Sequence, residues 1–112
     1  MYKQGDIIEV WFPFSDFPMK GKIRPAIIIS NELSNAIDND VLVAPITSKI
    51  RENEFSFLLQ DEYLTISLPK NSEIRCNKMA TIRISNIISK FSFLKEERQS
   101  ELIDRIYKSI KK

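Results

Sequence analysis

The chain has 112 residues, 43% of them hydrophobic and 29% charged, with a net charge of +2. That is the usual size and composition of one globular domain, and no apolar run approaches the roughly 18 residues of a membrane-spanning helix. With no histidine and a single cysteine, Cys76, the sequence excludes Ser-His-Asp and Cys-His nucleophile systems, paired-imidazole phosphodiester cleavage, a thiolate zinc cage and an internal disulfide.

The lone thiol suits a reducing compartment, and the opening MYKQGDIIEVWF has no basic-then-apolar stretch ending in small residues. The expectation is one domain over 1–112, soluble and cytoplasmic, without membrane contact, metal or cofactor. A charge of +2 is too small to announce a nucleic-acid binder, but basic residues collect in the second half. Those from Lys95 to Lys112 read as a solvated helix and tail, whereas Arg75, Lys78 and Arg83 lie outside it.

In chain order, Gly5-Asp6 is a turn signal before Ile7–Phe12, a β-branched and aromatic run that reads as a first strand. Residues 13–23 hold two prolines, a glycine and two lysines and read as an unusually long loop. Arg24-Pro25 then opens Ala26–Ile29, whose continuous apolar character predicts a central strand buried on both faces. Ser30–Ala36 has room for one helical turn, and the polar Asp38–Asp40 leads into a third strand at Val41–Ile46. Phe55–Leu59 and Tyr63–Leu68 predict two more strands, with turns at Asp61-Glu62 and Pro69–Ser72; Ile74–Cys76 and Met79–Ile82 continue the β pattern less clearly. From Ser92 the period changes, placing Leu94, Leu102, Ile103, Ile106, Tyr107 and Ile110 on one face of a terminal helix. Its early Glu96 and Glu97 and late Lys108, Lys111 and Lys112 suit the helix dipole. Many short strands followed by one helix predict a mainly β fold, a small curved sheet or partly open barrel.

Two places combine polar chemistry with the ends of apolar strands: Arg24, and Thr47-Ser48. A guanidinium grips phosphate with two hydrogen bonds and a hydroxyl adds another, so together they suit a phosphodiester. On residue type alone both are as readily structural, since arginine often guards a strand end and threonine often closes one. Trp11 is assigned to the core and Cys76 to a buried, unreactive position.

Three blocks sharpen this reading: Gly5-Asp6-Ile7-Ile8 with Trp11, Arg24-Pro25-Ala26-Ile27-Ile28-Ile29-Ser30, and Val41-Leu42-Val43-Ala44-Pro45-Ile46-Thr47-Ser48. In order and spacing they resemble the MazF/PemK family of bacterial toxin endoribonucleases, and the looser layout through Asn71–Ile74 and Met79–Ile82 to the terminal helix extends the likeness over nearly the whole chain. The resemblance implies an SH3-like barrel with a C-terminal helix, a homodimer, and a MazE-like antitoxin whose flexible segment occludes the RNA groove. It also implies metal-independent cleavage of single-stranded mRNA, in which the ribose 2′-OH attacks the adjacent phosphate to give a 2′,3′-cyclic phosphate and a 5′-OH. The family's catalytic arginine and threonine fall on Arg24 and Thr47.

Ser15–Lys22 departs from the family in having one glycine and no glutamate, which leaves Asp16 as the possible general base. Phe14, Phe17, Lys20 and Lys22 mix stacking surfaces with phosphate partners, as single-strand binding needs, although the two phenylalanines equally suit a core or dimer interface. Ser48, Lys49 and Arg51 adjoin the Thr47 site, and Asn77 and Lys78 fall where the family reads bases. Two other readings stay open: a CcdB-type toxin that binds DNA gyrase without cleavage, which relies on a C-terminal aromatic end where this chain has Ser109-Ile110-Lys111-Lys112, and a non-catalytic SH3-like interaction module.

Overall fold

The computed structural model describes residues 1–13 and 19–112. Among these, the elements in chain order are β1 (Asp6–Pro13), β2 (Gly21–Ile28), α1 (Glu32–Ile37), β3 (Asp40–Thr47), β4 (Ser56–Leu59), β5 (Ser72–Arg75), β6 (Ala80–Arg83), β7 (Ile87–Phe93) and α2 (Glu96–Lys108).

The strands pair antiparallel in the order β4-β5-β3-β2-β1-β7, with β6 also on β3. Val43 pairs with Ile28 on one edge of β3 and with Ala80 on the other, so β6 and β5 share the edge opposite β2. No ladder joins the end strands β4 and β7 among the described residues, so the antiparallel sheet is open rather than a closed barrel.

Alternation along β1, β2 and β3 feeds two buried clusters, one on each face of the sheet. Ile7, Ile27, Ala44 and Ile46 join Phe57, Ile74, Leu94 and Leu102 in the first; Ile8, Val10, Ala26, Ile28, Val41, Val43 and Ile82 make the second. Burial on both faces is what the continuous run Ala26–Ile29 requires, and all four residues are buried. The helix α2 covers the first cluster with Leu102 and Ile106. Arg105 anchors it by donating from Nη1 to the Ser56 carbonyl, and the Arg98 guanidinium lies 4.1 Å from the Tyr63 ring centre.

The structure departs from the sequence expectations at five places. β2 begins at Gly21 rather than after Arg24, because its ladder with β1 runs from Ile7–Ile27 to Pro13–Gly21. Gly21 is required there, since a Cβ would sit 2.4 Å from the Phe12 carbonyl oxygen and 2.7 Å from the Trp11 ring. Trp11 is half-buried over this glycine and belongs to neither cluster. Tyr63–Leu68 follows a 3-10 turn at Asp61–Tyr63 and makes a single bridge, Leu64–Leu94, because its backbone is satisfied piecemeal: Thr65 N–H bonds the Phe93 carbonyl, and Ser92 Oγ bonds both the N–H and the carbonyl of Ile66. The strand missing from the sequence reading is β7, and Tyr107 on α2 and Ile110 just beyond its end are exposed rather than on the buried face.

Candidate active site

The site forms where two central strands stop pairing. The β2–β3 ladder holds three pairs and ends at Ala26–Pro45. Pro45 and the next residue of β2, Pro25, have no N–H to extend it. The same register continued two residues sets Arg24 opposite Thr47. By strand alternation Arg24 follows Ala26 and Ile28, and Thr47 follows Val43 and Val41, so both belong to one face of the sheet. Each is anchored from its outer side, Arg24 by pairing with Val10 on β1 and Thr47 by pairing with Glu73 on β5. The inner sides face an open groove of about 600 Å³.

Lys22, Arg24, Thr47 and Ser48 line this groove together, with Pro25 and Ile46 at the strand ends. Its other wall comprises Leu68, Pro69, Lys70, Ser72 and Phe91, and among the described residues Glu9 is the one acidic group in the lining. Among the described residues the one ion pair is Lys90 Nζ to Asp6 Oδ2 at 3.7 Å, so Lys22 and Arg24 are not ion-paired there. Three cations, Lys22, Arg24 and Lys70, beside the apolar Leu68, Pro69 and Phe91 suit a phosphate carrying a nucleobase. Thr47 Oγ1 accepts the Lys49 N–H at 3.1 Å, which fixes the oxygen and sets the hydroxyl hydrogen to donate elsewhere. Ser89 Oγ donates to Glu9 Oε1 at 3.2 Å.

Behind Thr47 lies a buried carboxylate. Glu73 is 1% exposed and accepts Arg51 N–H at 2.9 Å, Glu52 N–H at 3.2 Å and Ser56 Oγ–H at 2.7 Å. Burial alone pushes its pKa up, but the Ser56 bond, the two backbone bonds and the nearby Arg51 charge outweigh that and hold it below the ordinary 4.5. Cys76 is fully buried, and loss of hydration, only partly opposed by Arg105, pushes its thiol up to about 11, which suits the unreactive reading.

Of the residues singled out in the sequence, the groove gathers Lys22, Arg24, Thr47 and Ser48. Lys20 is exposed just before β2, and Lys49 and Arg51 are exposed on the segment after β3; none of the three lines the groove. Asn77 and Lys78 are exposed on the β5–β6 turn, where Lys78 N–H bonds the Arg75 carbonyl, and they too lie off the groove wall. Phe14, Asp16 and Phe17 lie outside the described residues. Sequence reasoning missed Glu9, Phe91 and Lys70 in the groove and Glu73 behind it. The alternation of Glu9 with buried Ile8 and Val10 was the one available signal. Among the described residues no group of three or more Cys, Asp and Glu side chains forms a metal site, and no helix is long and apolar enough to cross a membrane.

Comparison with known proteins gives a consistent result. The chain is 26% identical over 106 residues to the endoribonuclease MazF of Staphylococcus saprophyticus, covering 95% of this chain and 88% of that protein. It superposes with a TM-score of 0.79 on a mycobacterial endoribonuclease solved in complex with its cognate antitoxin, at 12% identity, covering 98% of this chain and 95% of that one. The MazF of a Deinococcus radiodurans MazE-MazF structure gives a TM-score of 0.77 at 14% identity, covering 96% and 94%. The Mycobacterium tuberculosis toxin MazF-mt6 gives 0.71 at 20% identity, covering 91% and 94%. These structural likenesses establish the shared fold. The family model of PemK-like, MazF-like toxins of type II toxin-antitoxin systems matches residues 3–110, and the chain belongs to that family.

Proposed function

We propose that this toxin is an endoribonuclease that cuts single-stranded mRNA in the groove between the ends of β2 and β3. The observation that carries the reading is the convergence of Arg24 and Thr47, with Lys22, on one open groove in which, among the described residues, neither cation is ion-paired. A guanidinium is a poor proton shuttle, so Arg24 acts by stabilising charge on the pentacoordinate phosphorus. Thr47, its oxygen held by Lys49 N–H, donates its hydroxyl hydrogen to a non-bridging phosphate oxygen. The ribose 2′-OH attacks the phosphorus, the bond to the next nucleotide's 5′ oxygen breaks, and the products are a 2′,3′-cyclic phosphate and a 5′-OH. DNA lacks this nucleophile and is spared.

Two carboxylates compete for the role of general base, Asp16 and the groove residue Glu9. The substitution, Asp16→Asn or Glu9→Gln, that removes the acid limb of the pH–rate profile identifies it. Ser48 and Lys22 contact the RNA backbone in the groove, and Lys20, Lys49, Arg51, Asn77, Lys78 and Phe17 extend contact along the strand. The toxin works as a homodimer and is neutralised by a MazE-like antitoxin, a reading supported by family membership and by the MazE-MazF structure of Deinococcus radiodurans.

The test is incubation of the purified protein with a long single-stranded RNA in EDTA, beside an Arg24→Ala variant. Discrete cleavage by the wild type alone supports the reading; RNA left equally intact by both refutes it.

A further inference from the structure

Residues 48–55 link β3 to β4 without regular structure, yet one buried group fixes their course. Glu73 stands on β5 paired with Thr47 of β3. Its Oε1 takes the N–H groups of Arg51 and Glu52, at 2.9 and 3.2 Å, and its Oε2 takes the Ser56 hydroxyl at 2.7 Å. Glu52 has a φ of 50°, in the left-handed region, where a non-glycine residue stays only if its surroundings hold it. The bond from its own N–H to Glu73 is that hold. From here hydrogen bonds lead back to the groove: Arg51 Nη1 donates to the Lys49 carbonyl at 3.2 Å, and Lys49 N–H donates to Thr47 Oγ1 at 3.1 Å.

We propose that Glu73 is a positioning residue for the cleavage reaction: its carboxylate clamps the turn at residues 49–53 so that Lys49 N–H fixes the Thr47 hydroxyl in the groove. The proposal rests on the ribonuclease reading above. Burying a carboxylate is costly unless its lone pairs are used, and here three donors converge, two of them backbone groups of the turn itself. Thr47 is thereby held twice, by strand pairing with Glu73 and by the turn that Glu73 clamps.

The test compares wild type, Glu73→Leu, Glu73→Gln and Ser56→Ala for kcat and KM on a single-stranded RNA in EDTA, each at a temperature where circular dichroism shows it folded. Leucine fills the space without accepting a bond, and kcat falls about tenfold or more while KM moves less than about threefold. The glutamine oxygen still accepts both backbone N–H groups, and kcat stays within about threefold of wild type. If Glu73→Leu does not fold, Ser56→Ala, which removes one bond, is read by the same split between kcat and KM. Wild-type kcat in the folded leucine variant, or in Ser56→Ala when leucine does not fold, overturns the proposal. So does a glutamine variant as slow as leucine, because charge rather than bonded geometry would then be at work. If wild type itself leaves RNA intact, the ribonuclease reading fails separately. Amide exchange at Arg51 and Glu52 then decides the clamp: exchange much faster in the variant supports it, and unchanged exchange overturns it.

Discussion

Arg24→Ala separates a catalytic arginine from a structural one, because the two roles predict opposite balances of rate and stability. Arg24 is exposed, and no carboxylate among the described residues forms an ion pair with it, so its removal leaves no buried charge or orphaned acceptor there. Its backbone pairing with Val10 does not depend on the side chain. The stability change is therefore that of an ordinary surface substitution, within about 0.5 kcal/mol. The loss in rate is that of a preorganised donor aimed at developing charge, about a hundredfold to a thousandfold in kcat, or roughly 2.7 to 4 kcal/mol. Arg24→Lys keeps the charge but loses the two-pronged donor, so its rate falls between wild type and alanine. Initial rates on a fluorogenic single-stranded RNA, measured beside urea unfolding of the same preparations, check both quantities. An alanine variant that cleaves within about threefold of wild type, or that loses activity only in proportion to its unfolded fraction, refutes the assignment.

Thr47→Val keeps the shape and removes the hydroxyl; kcat falls by about a hundredfold while Thr47→Ser retains most of it, as single-turnover cleavage reports. Glu73 has a folded pKa below 4.5, so its contribution to stability is fully present above that value and is lost as the pH falls through the lower folded value. Urea unfolding from pH 7 to pH 3 therefore shows a fall below about pH 4.5 that Glu73→Gln makes shallower; equal slopes in the two proteins contradict it. Leu102→Ala, at 1% exposure on the buried face of α2, costs about 2 to 5 kcal/mol in the same assay while leaving kcat of the folded fraction unchanged.

What was legible in the sequence follows from where each element sits. The runs in β2 and β3 announced themselves because both faces of those strands are buried, a condition that leaves no polar alternation to confuse the pattern. β7 lies at the end of the sheet and pairs with β1 through two register shifts, and with Ile88 and Lys90 exposed it shows no clean alternation, so the sequence reading assigns residues 87–91 to no element. Tyr63–Leu68 had the alternation of a strand, but no continuous partner lies beside it, and hydrophobic period alone does not report whether one is there. Glu73 was illegible for a different reason. A buried glutamate looks like a solvated one until its partners are known, and these lie 17 to 22 residues away in the chain.

The Arg24-Pro25 and Pro45-Ile46-Thr47 segments read first as motifs and then as a mechanical arrangement. Two strands that share a buried ladder separate only if the ladder is made to stop, and the prolines sit where pairing ends. Beyond that point β1 still carries Arg24 and β5 still carries Thr47, so neither residue is left on a loose end. The parts of the groove that carry Arg24 and Thr47 are rigid, because each is the continuation of a core strand whose inner partner has been withdrawn. Rigidity is what electrostatic stabilisation of a transition state needs, since donors that must reorganise lose much of their effect. The same arrangement explains the burial of Glu73 behind Thr47. With no support from β2, the end of β3 and the turn after it depend on β5, and the Glu73 side chain extends that support from the strand into the turn.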